Sequence, residues 1–179
     1  KECGVLLVDT NYPAIKRHNT ILEEGGVDGL IIETMFDLRE ALCALRACKE
    51  AADLPVIASI AFNTAQNGGR TIMGDSAQDC AQALTEAGAC ATGGNCGSLD
   101  PFQMAEIVSK MREVSSLPVL VQPNAGKPRL AGNRTVFDMS PSDFAAGICQ
   151  CLKAGARLIG GCCGTSPAHI QAIATLLRE

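Results

Sequence analysis

The sequence predicts an α/β fold of the (βα)8 barrel type. Short apolar runs, which indicate buried strands, alternate along the chain with amphipathic helical patterns, and this alternation is typical of a parallel sheet. Polar or thiol side chains follow the strand ends, which is where barrels of this type place their active sites. Five such runs, and a sixth short one near the N-terminus, are fewer than the eight strands of a closed barrel.

The elements can be placed in order along the chain. The run at residues 4–10 predicts a first strand, and the pattern at 14–24 predicts a helix that stops at two glycines. The remaining strands are predicted at residues 30–34, 54–62, 89–93, 119–122 and 157–160. Helices are predicted at residues 38–52, 76–87, 101–114, 141–153 and 167–178. Residues 123–139 are predicted to form a loop and a long polar excursion.

The joints between helix and strand support this parsing. Glycine helix stops near residues 26, 88 and 155 alternate with the sequence Leu-Pro-Val at residues 54–56 and 117–119. In a barrel, odd and even strands contribute different layers of side chains to the interior. The alternation of joints therefore favours a barrel.

Length, composition and charge indicate one globular domain over residues 1–179. A chain of 179 residues with 47% hydrophobic residues can bury a single core. Its formal net charge of −4 argues against a nucleic-acid partner, which would require a basic surface. Apolar runs of membrane-spanning length and a signal-type N-terminus are both missing, so we expect a cytoplasmic protein without a membrane partner.

The cysteine pattern does not indicate a secreted disulfide framework, although the chain contains ten cysteines. Six of them lie within apolar helix or strand patterns and are expected to be small core residues in a reducing compartment. These six are Cys43, Cys48, Cys80, Cys90, Cys149 and Cys151.

Three further cysteines lie in two glycine-rich turns that follow predicted strands. The first turn, Gly-Gly-Asn-Cys-Gly, contains Cys96, and the second, Gly-Gly-Cys-Cys-Gly-Thr, contains Cys162 and Cys163. Three thiolates from two strand ends suit an open zinc site, in which a fourth position is left for substrate. From spacing alone, a structural Cys-Cys pair is an equally good interpretation, because the pattern matches no standard zinc signature.

As whole motifs, GGNCG and GGCCGTSPAHI resemble the homocysteine S-methyltransferase family, in particular the homocysteine-binding domain of cobalamin-dependent methionine synthases. The resemblance extends from about residue 24 to the end, whereas residues 1–23 are not matched. It implies zinc-dependent methyl transfer to homocysteine, with Cys96, Cys162 and Cys163 as the zinc ligands. It also implies the C-terminal part of a barrel without the first two or three βα units, completed by a partner chain or a second copy, or left incomplete.

The resemblance also implies roles for four polar residues. Glu33, with Thr34, would bind the amino group of homocysteine, while Asn95 would orient the thiolate or the methyl donor. Asn124, in the stretch Pro-Asn-Ala-Gly, matches the methionine synthase branch and would contact the substrate. The competing interpretations are an ion pair or loop cap for Glu33 and simple turn residues for Asn95 and Asn124. His169, at the start of a helix, is expected on the surface.

The methyl donor stays open at this point. The resemblance implies methylcobalamin on a separate domain or subunit, with betaine, a sulfonium such as S-methylmethionine, or another small methylated compound as alternatives. A betaine site would require an aromatic cage, but the chain has no Trp and one Tyr. Two other functional classes fit the same turns: a non-catalytic zinc-binding remnant or interaction module, and a metal-free barrel enzyme that binds phosphate at residues 160–165.

Overall fold

The computed structural model describes residues 2–178, with side chains from residue 12 onward. The strands are β1 (Leu30–Met35), β2 (Val56–Ile60), β3 (Ala91–Asn95), β4 (Val119–Gln122), β5 (Arg129–Ala131), β6 (Arg134–Val136) and β7 (Ala156–Ile159). The helices are α1 (Glu2–Glu24), α2 (Leu38–Ala51), α3 (Ala77–Glu86), α4 (Pro101–Val114), α5 (Pro141–Ala154) and α6 (Pro167–Leu176).

Five strands form one parallel sheet in the order β1-β2-β3-β4-β7, as predicted for alternating strands and helices. Within the described part of the chain, β1 and β7 are the edges of this sheet. The parallel register pairs Asn95 with Gln122, so that the carboxyl ends of β3 and β4 finish side by side. The loops that follow the strands therefore meet at one end of the sheet.

The core lies between the sheet and the helices that cover one of its faces. Its largest fully buried side chains include Phe62, Phe144 and Leu45. The opposite face of the sheet carries apolar side chains that are only partly covered, with Ile31 at 47% and Leu158 at 38% exposure. This face is therefore open at the edge strands β1 and β7, whereas β3 and most of β4 are buried on both faces.

Side-chain caps explain where the helices begin. The side chains of Asp37, Ser76, Asp100 and Ser140 each accept a hydrogen bond from a backbone N–H in the first turn of their helix. Proline stands at the first turn of α4, α5 and α6, where its missing N–H has no cost. These starts agree with the sequence prediction.

Two predictions of secondary structure are wrong. The strand predicted at residues 4–10 lies inside α1, which runs from Glu2 to Glu24 through Pro13. A short apolar run cannot be assigned to strand or helix by periodicity alone, which explains this error. The excursion after residue 126 contains the antiparallel hairpin β5–β6, whose residues are mostly exposed and show no apolar alternation.

Among the described helices, none combines the length and apolar character needed to cross a membrane.

Candidate metal centre

Three cysteines meet at the carboxyl end of the sheet. Cys96 follows β3, while Cys162 and Cys163 follow β7. The Sγ atom of Cys163 lies 3.8 Å from that of Cys96 and 4.0 Å from that of Cys162. All three sulfur atoms lie within 4.8 Å of one another. The structure thus brings together the three thiols that the sequence singled out, although 67 positions separate Cys96 from Cys163.

The first cysteine turn is held by an unusual backbone. Cys96 has φ 54° and Gly97 has φ 67°, so two successive residues adopt the left-handed conformation. A Cβ atom at Gly97 would collide with the carbonyl oxygen of Phe62, which also accepts a hydrogen bond from the Ser98 N–H at 3.1 Å. Glycine is needed at position 97 for both reasons, and the turn packs against the chain that leaves β2.

The second cysteine turn is tied to the loop that follows β4. The Cys162 N–H donates to the carbonyl of Pro123 at 2.9 Å, and the Cys163 carbonyl accepts from the Ala125 N–H at 2.9 Å. Gly164 has φ 78° and lies against Phe137, where a Cβ atom would overlap the ring. Within the described sheet, β7 is an edge strand, so the turn that follows it has a neighbouring loop on one side only. The hydrogen bonds to that loop fix the direction in which the two thiols point.

Asn124 connects the two cysteine turns. Its Nδ2 donates to the Gly97 carbonyl at 3.0 Å, and its Oδ1 accepts from the Cys163 N–H at 3.1 Å. The residue is 2% exposed, so both bonds are shielded from water. The sequence singled out Asn124 as a residue that contacts the substrate, and the structure places it between the backbones that carry the thiols.

Asn95 and Thr34 form a second polar cluster beside the thiols. The Oδ1 atom of Asn95 accepts from the Thr34 N–H and the Ser59 hydroxyl, each at 2.8 Å, and its Nδ2 donates to the Thr34 hydroxyl at 2.7 Å. The same Nδ2 lies 4.0 Å from the Cys162 sulfur. Thr34 has φ 61°, a strained conformation for a β-branched residue, and such strain is often found at functional sites.

Ser59 was missed by the sequence analysis. It is fully buried in β2, and its hydroxyl helps to fix the Asn95 amide. A signal was present, since Ser59 is the single polar residue of Val-Ile-Ala-Ser-Ile. A buried hydroxyl in an apolar strand needs a partner, which indicates a polar site nearby.

Glu33 lies one residue before Thr34 on the edge strand β1, and it is exposed. It lines a cavity of about 530 Å³ between this strand and α1, together with His18, Asn19 and other residues. The structure thus places the Glu33 carboxylate beside an accessible space, whereas Thr34, Asn95 and Asn124 lie directly around the cysteine turns.

The three thiols influence one another electrostatically. Removal from water raises the pKa of Cys163 from 9.0 to about 11, and the neighbouring sulfur atoms of Cys162 and Cys96 add to the increase. Without a nearby cation, Cys163 is therefore a protonated thiol at neutral pH. Binding of a soft metal cation would reverse this effect, because metal coordination favours the thiolate.

The other cysteines form no comparable group. Burial raises the pKa of Cys80 and of Cys151 to about 12, as expected for unreactive core thiols. Cys90 is exposed and Cys149 is half-buried, so the prediction that both are core residues is wrong. Cys90 precedes β3, and Cys149 lies on a partly covered face of α5, where small residues tolerate exposure. No disulfide joins the nine cysteines whose side chains are described.

Comparisons with known proteins agree on one family. The sequence model of homocysteine S-methyltransferases matches residues 7–177. Methionine synthase from Mycobacterium tuberculosis (strain ATCC 25618 / H37Rv) is 30% identical over 162 residues, which are 87% of this chain and 13% of that protein. The corresponding enzyme from Mycobacterium leprae (strain TN) is 29% identical over the same length.

Solved structures show the same fold. The metallated form of the homocysteine methyltransferase MmuM from Escherichia coli matches with a TM-score of 0.71 and 24% identity over 92% of this chain and 52% of that chain. The carboxyl transferase domain of Rhizobium etli pyruvate carboxylase, in its Y628A form, matches with a TM-score of 0.65 and 17% identity over 93% of this chain and 28% of that chain. The predicted fold, a partial (βα)8 barrel, is confirmed. The chain spans about half of the E. coli enzyme and a much smaller part of the mycobacterial ones.

Proposed function

Since the chain belongs to the homocysteine S-methyltransferase family, we propose that it forms the homocysteine-binding part of an enzyme that methylates the thiol of homocysteine to give methionine. Cys96, Cys162 and Cys163 hold a zinc ion in this proposal. The observation that carries it is the convergence of these three sulfur atoms within 4.8 Å at the carboxyl end of the sheet.

The thiol geometry fits zinc. Four ligands in a tetrahedron with Zn–S bonds of about 2.3 Å place neighbouring sulfur atoms about 3.8 Å apart. The separations of 3.8 Å and 4.0 Å around Cys163 agree with this spacing. Among the described residues, the group contains three cysteines and no fourth His, Asp or Glu. Three protein ligands are typical of a catalytic zinc site with one open position.

The metal and the chain have different roles in this proposal. A bound zinc ion would act as a Lewis acid that keeps a coordinated thiol in its thiolate form at neutral pH. The chain's own residues bind and orient the substrate: Glu33 accepts a charge-assisted hydrogen bond from the substrate ammonium group. Asn95, fixed by Thr34 and Ser59, directs its amide N–H toward the sulfur site.

The methyl donor that we propose is methylcobalamin on a separate domain or subunit, with a small methylated compound as the alternative. The similarity to proteins named methionine synthase, of which this chain spans only 13%, supports a donor bound outside the described residues. The one tyrosine does not favour a betaine cage. Tyr12 lies on α1, where its ring centroid is 4.7 Å from the Arg46 guanidinium on α2.

The surroundings of the site extend the proposal. The open edges of β1 and β7 would accept further strands, from a partner chain or from a second copy, that complete the barrel. Three zinc-binding thiols imply a reducing, cytoplasmic setting.

A phosphate site at the second turn is disfavoured, because the N–H of Thr165 already donates to the Cys162 carbonyl and that of Ser166 to the His169 ring.

Metal content tests the proposal. Reduced protein should contain one zinc per chain by plasma mass spectrometry, and Cys96→Ala, Cys162→Ala and Cys163→Ala should each lose it. Cys149→Ala is the matched control, since Cys149 is half-buried and outside the group. An activity assay that follows the loss of homocysteine and the formation of methionine, run once with methylcobalamin and once with S-methylmethionine, would then identify the donor. Protein without zinc, or zinc retained in the three variants, would contradict the proposal.

A further inference from the structure

His169 is a buried residue that the proposed chemistry does not use. It lies in the first turn of α6 with 7% exposure, so the prediction of a surface position is wrong. Its ring packs edge-on against Phe144, with centroids 5.4 Å apart and an interplanar angle of 88°. The helix start did not reveal this burial, because the residues that cover the ring come from the distant segment 139–144.

The hydrogen bonds of His169 define its tautomer. Its Nδ1 lies 3.2 Å from the backbone nitrogen of Ser166, which can only donate, and 2.9 Å from the Ser166 hydroxyl. Its Nε2 lies 3.0 Å from the carbonyl oxygen of Met139, which can only accept. The proton therefore resides on Nε2, and the ring bridges two segments of backbone.

A continuous series of hydrogen bonds leads from this ring to a proposed zinc ligand. His169 Nε2–H donates to the Met139 carbonyl, and the Met139 N–H donates to the Ala125 carbonyl at 3.1 Å. The Ala125 N–H in turn donates to the Cys163 carbonyl at 2.9 Å. These hydrogen bonds and the covalent segment 163–169, which joins Cys163 to His169, together form a closed loop of contacts.

We propose that His169 is a positioning residue that fixes the second cysteine turn through this closed loop. The inference rests on the proposed zinc site. The turn follows the edge strand β7, which has a neighbour on one side only within the described sheet. Hydrogen bonds to residues 123–125 attach the turn to the loop that follows β4. The bridge from α6 to Met139 adds an attachment beyond the turn, and it helps to hold the thiols of Cys162 and Cys163 toward Cys96.

The substitution His169→Gln separates this role from simple helix capping. Glutamine at the third helical position can still accept from the Ser166 N–H, as in a capping box. Its one amide cannot also reach the Met139 carbonyl, so the helix start is kept and the bridge is lost. Gln171→Ala is the matched control, since Gln171 is an exposed residue of the same helix.

Two measurements test the inference. Zinc affinity, from competition with a chromophoric chelator, should fall about tenfold or more in H169Q and stay unchanged in Q171A. In zinc-free protein, amide hydrogen exchange should accelerate at Ala125 and Met139 in H169Q, whereas the amides of β2 and β3 stay protected and report an intact fold. If H169Q does not fold, the milder substitution Ser166→Ala takes its place. It removes the hydroxyl that contacts Nδ1, and it should change zinc affinity and amide exchange in the same direction but by less.

The outcomes distinguish the two proposals. Wild-type zinc affinity and wild-type exchange in H169Q would overturn the role of His169 and leave the zinc site intact. A wild-type protein that binds no zinc would overturn the proposed function, while the exchange measurement would still decide whether His169 secures the turn.

Discussion

Replacing Asn124 with alanine tests the geometry of the site most simply. The change removes two buried hydrogen bonds, one to the Gly97 carbonyl at 3.0 Å and one from the Cys163 N–H at 3.1 Å. At a net 0.5–1.5 kcal/mol each, their loss lowers the free energy of unfolding by about 1–3 kcal/mol. For a domain of this size, that corresponds to a melting temperature lower by about 2–12 °C.

The same substitution releases the two cysteine turns from each other. Zinc affinity should therefore fall about 10- to 100-fold, as is typical when a residue that supports metal ligands is removed. Thermal unfolding of the metal-free protein and chelator competition measure the two effects separately. Asn133→Ala, at the exposed tip of the β5–β6 hairpin, is the matched control. Equal stability and equal zinc affinity in the N124A and N133A variants would refute the reasoning.

Three further predictions concern single residues. Gly97→Ala should destabilise the protein by about 2 kcal/mol or more in urea unfolding, because it combines a left-handed backbone with a collision at Phe62. Gly132→Ala is the control: its φ is +61° but the space around it is open, so it should lower the free energy of unfolding by less. Because the pKa of Cys163 rises from 9.0 to about 11 on folding, metal-free protein should lose stability as the pH increases from about 9 to 11. Cys163→Ser should reduce this loss in urea unfolding, and an unchanged pH dependence would contradict the assignment. Glu33→Gln should weaken homocysteine binding in calorimetry about 10- to 100-fold with zinc content unchanged, and unaltered binding would exclude its role.

Much of the fold could be predicted from the sequence because the signals are local. The apolar runs that became β1 to β4 and the caps at Asp37 and Asp100 depend on residues close in sequence. The two glycine-rich turns were also recognisable, since left-handed residues such as Gly97 and Gly164 mark sharp bends. In a parallel sheet, turns after strands meet at one end, which is why the meeting of the thiols could be expected.

The supporting contacts could not be predicted in the same way. Ser59 contacts Asn95 across 36 positions, and His169 reaches Met139 across 30. Asn124 looked like a substrate residue, and its bonds to both cysteine turns depend on the register of β3, β4 and β7. A local signal, such as the single polar residue of β2, can indicate that a polar site is near, but the partner is identified only when the strands are assembled.

X-ray absorption at the zinc edge, recorded on reduced protein with and without homocysteine, tests the central claim most directly. The account predicts three sulfur ligands from the protein, as expected for the group formed by Cys96, Cys162 and Cys163. It predicts four sulfur ligands after homocysteine is added, as the substrate thiol takes the open position. A sulfur count that does not change with homocysteine, or a site without zinc, would contradict it.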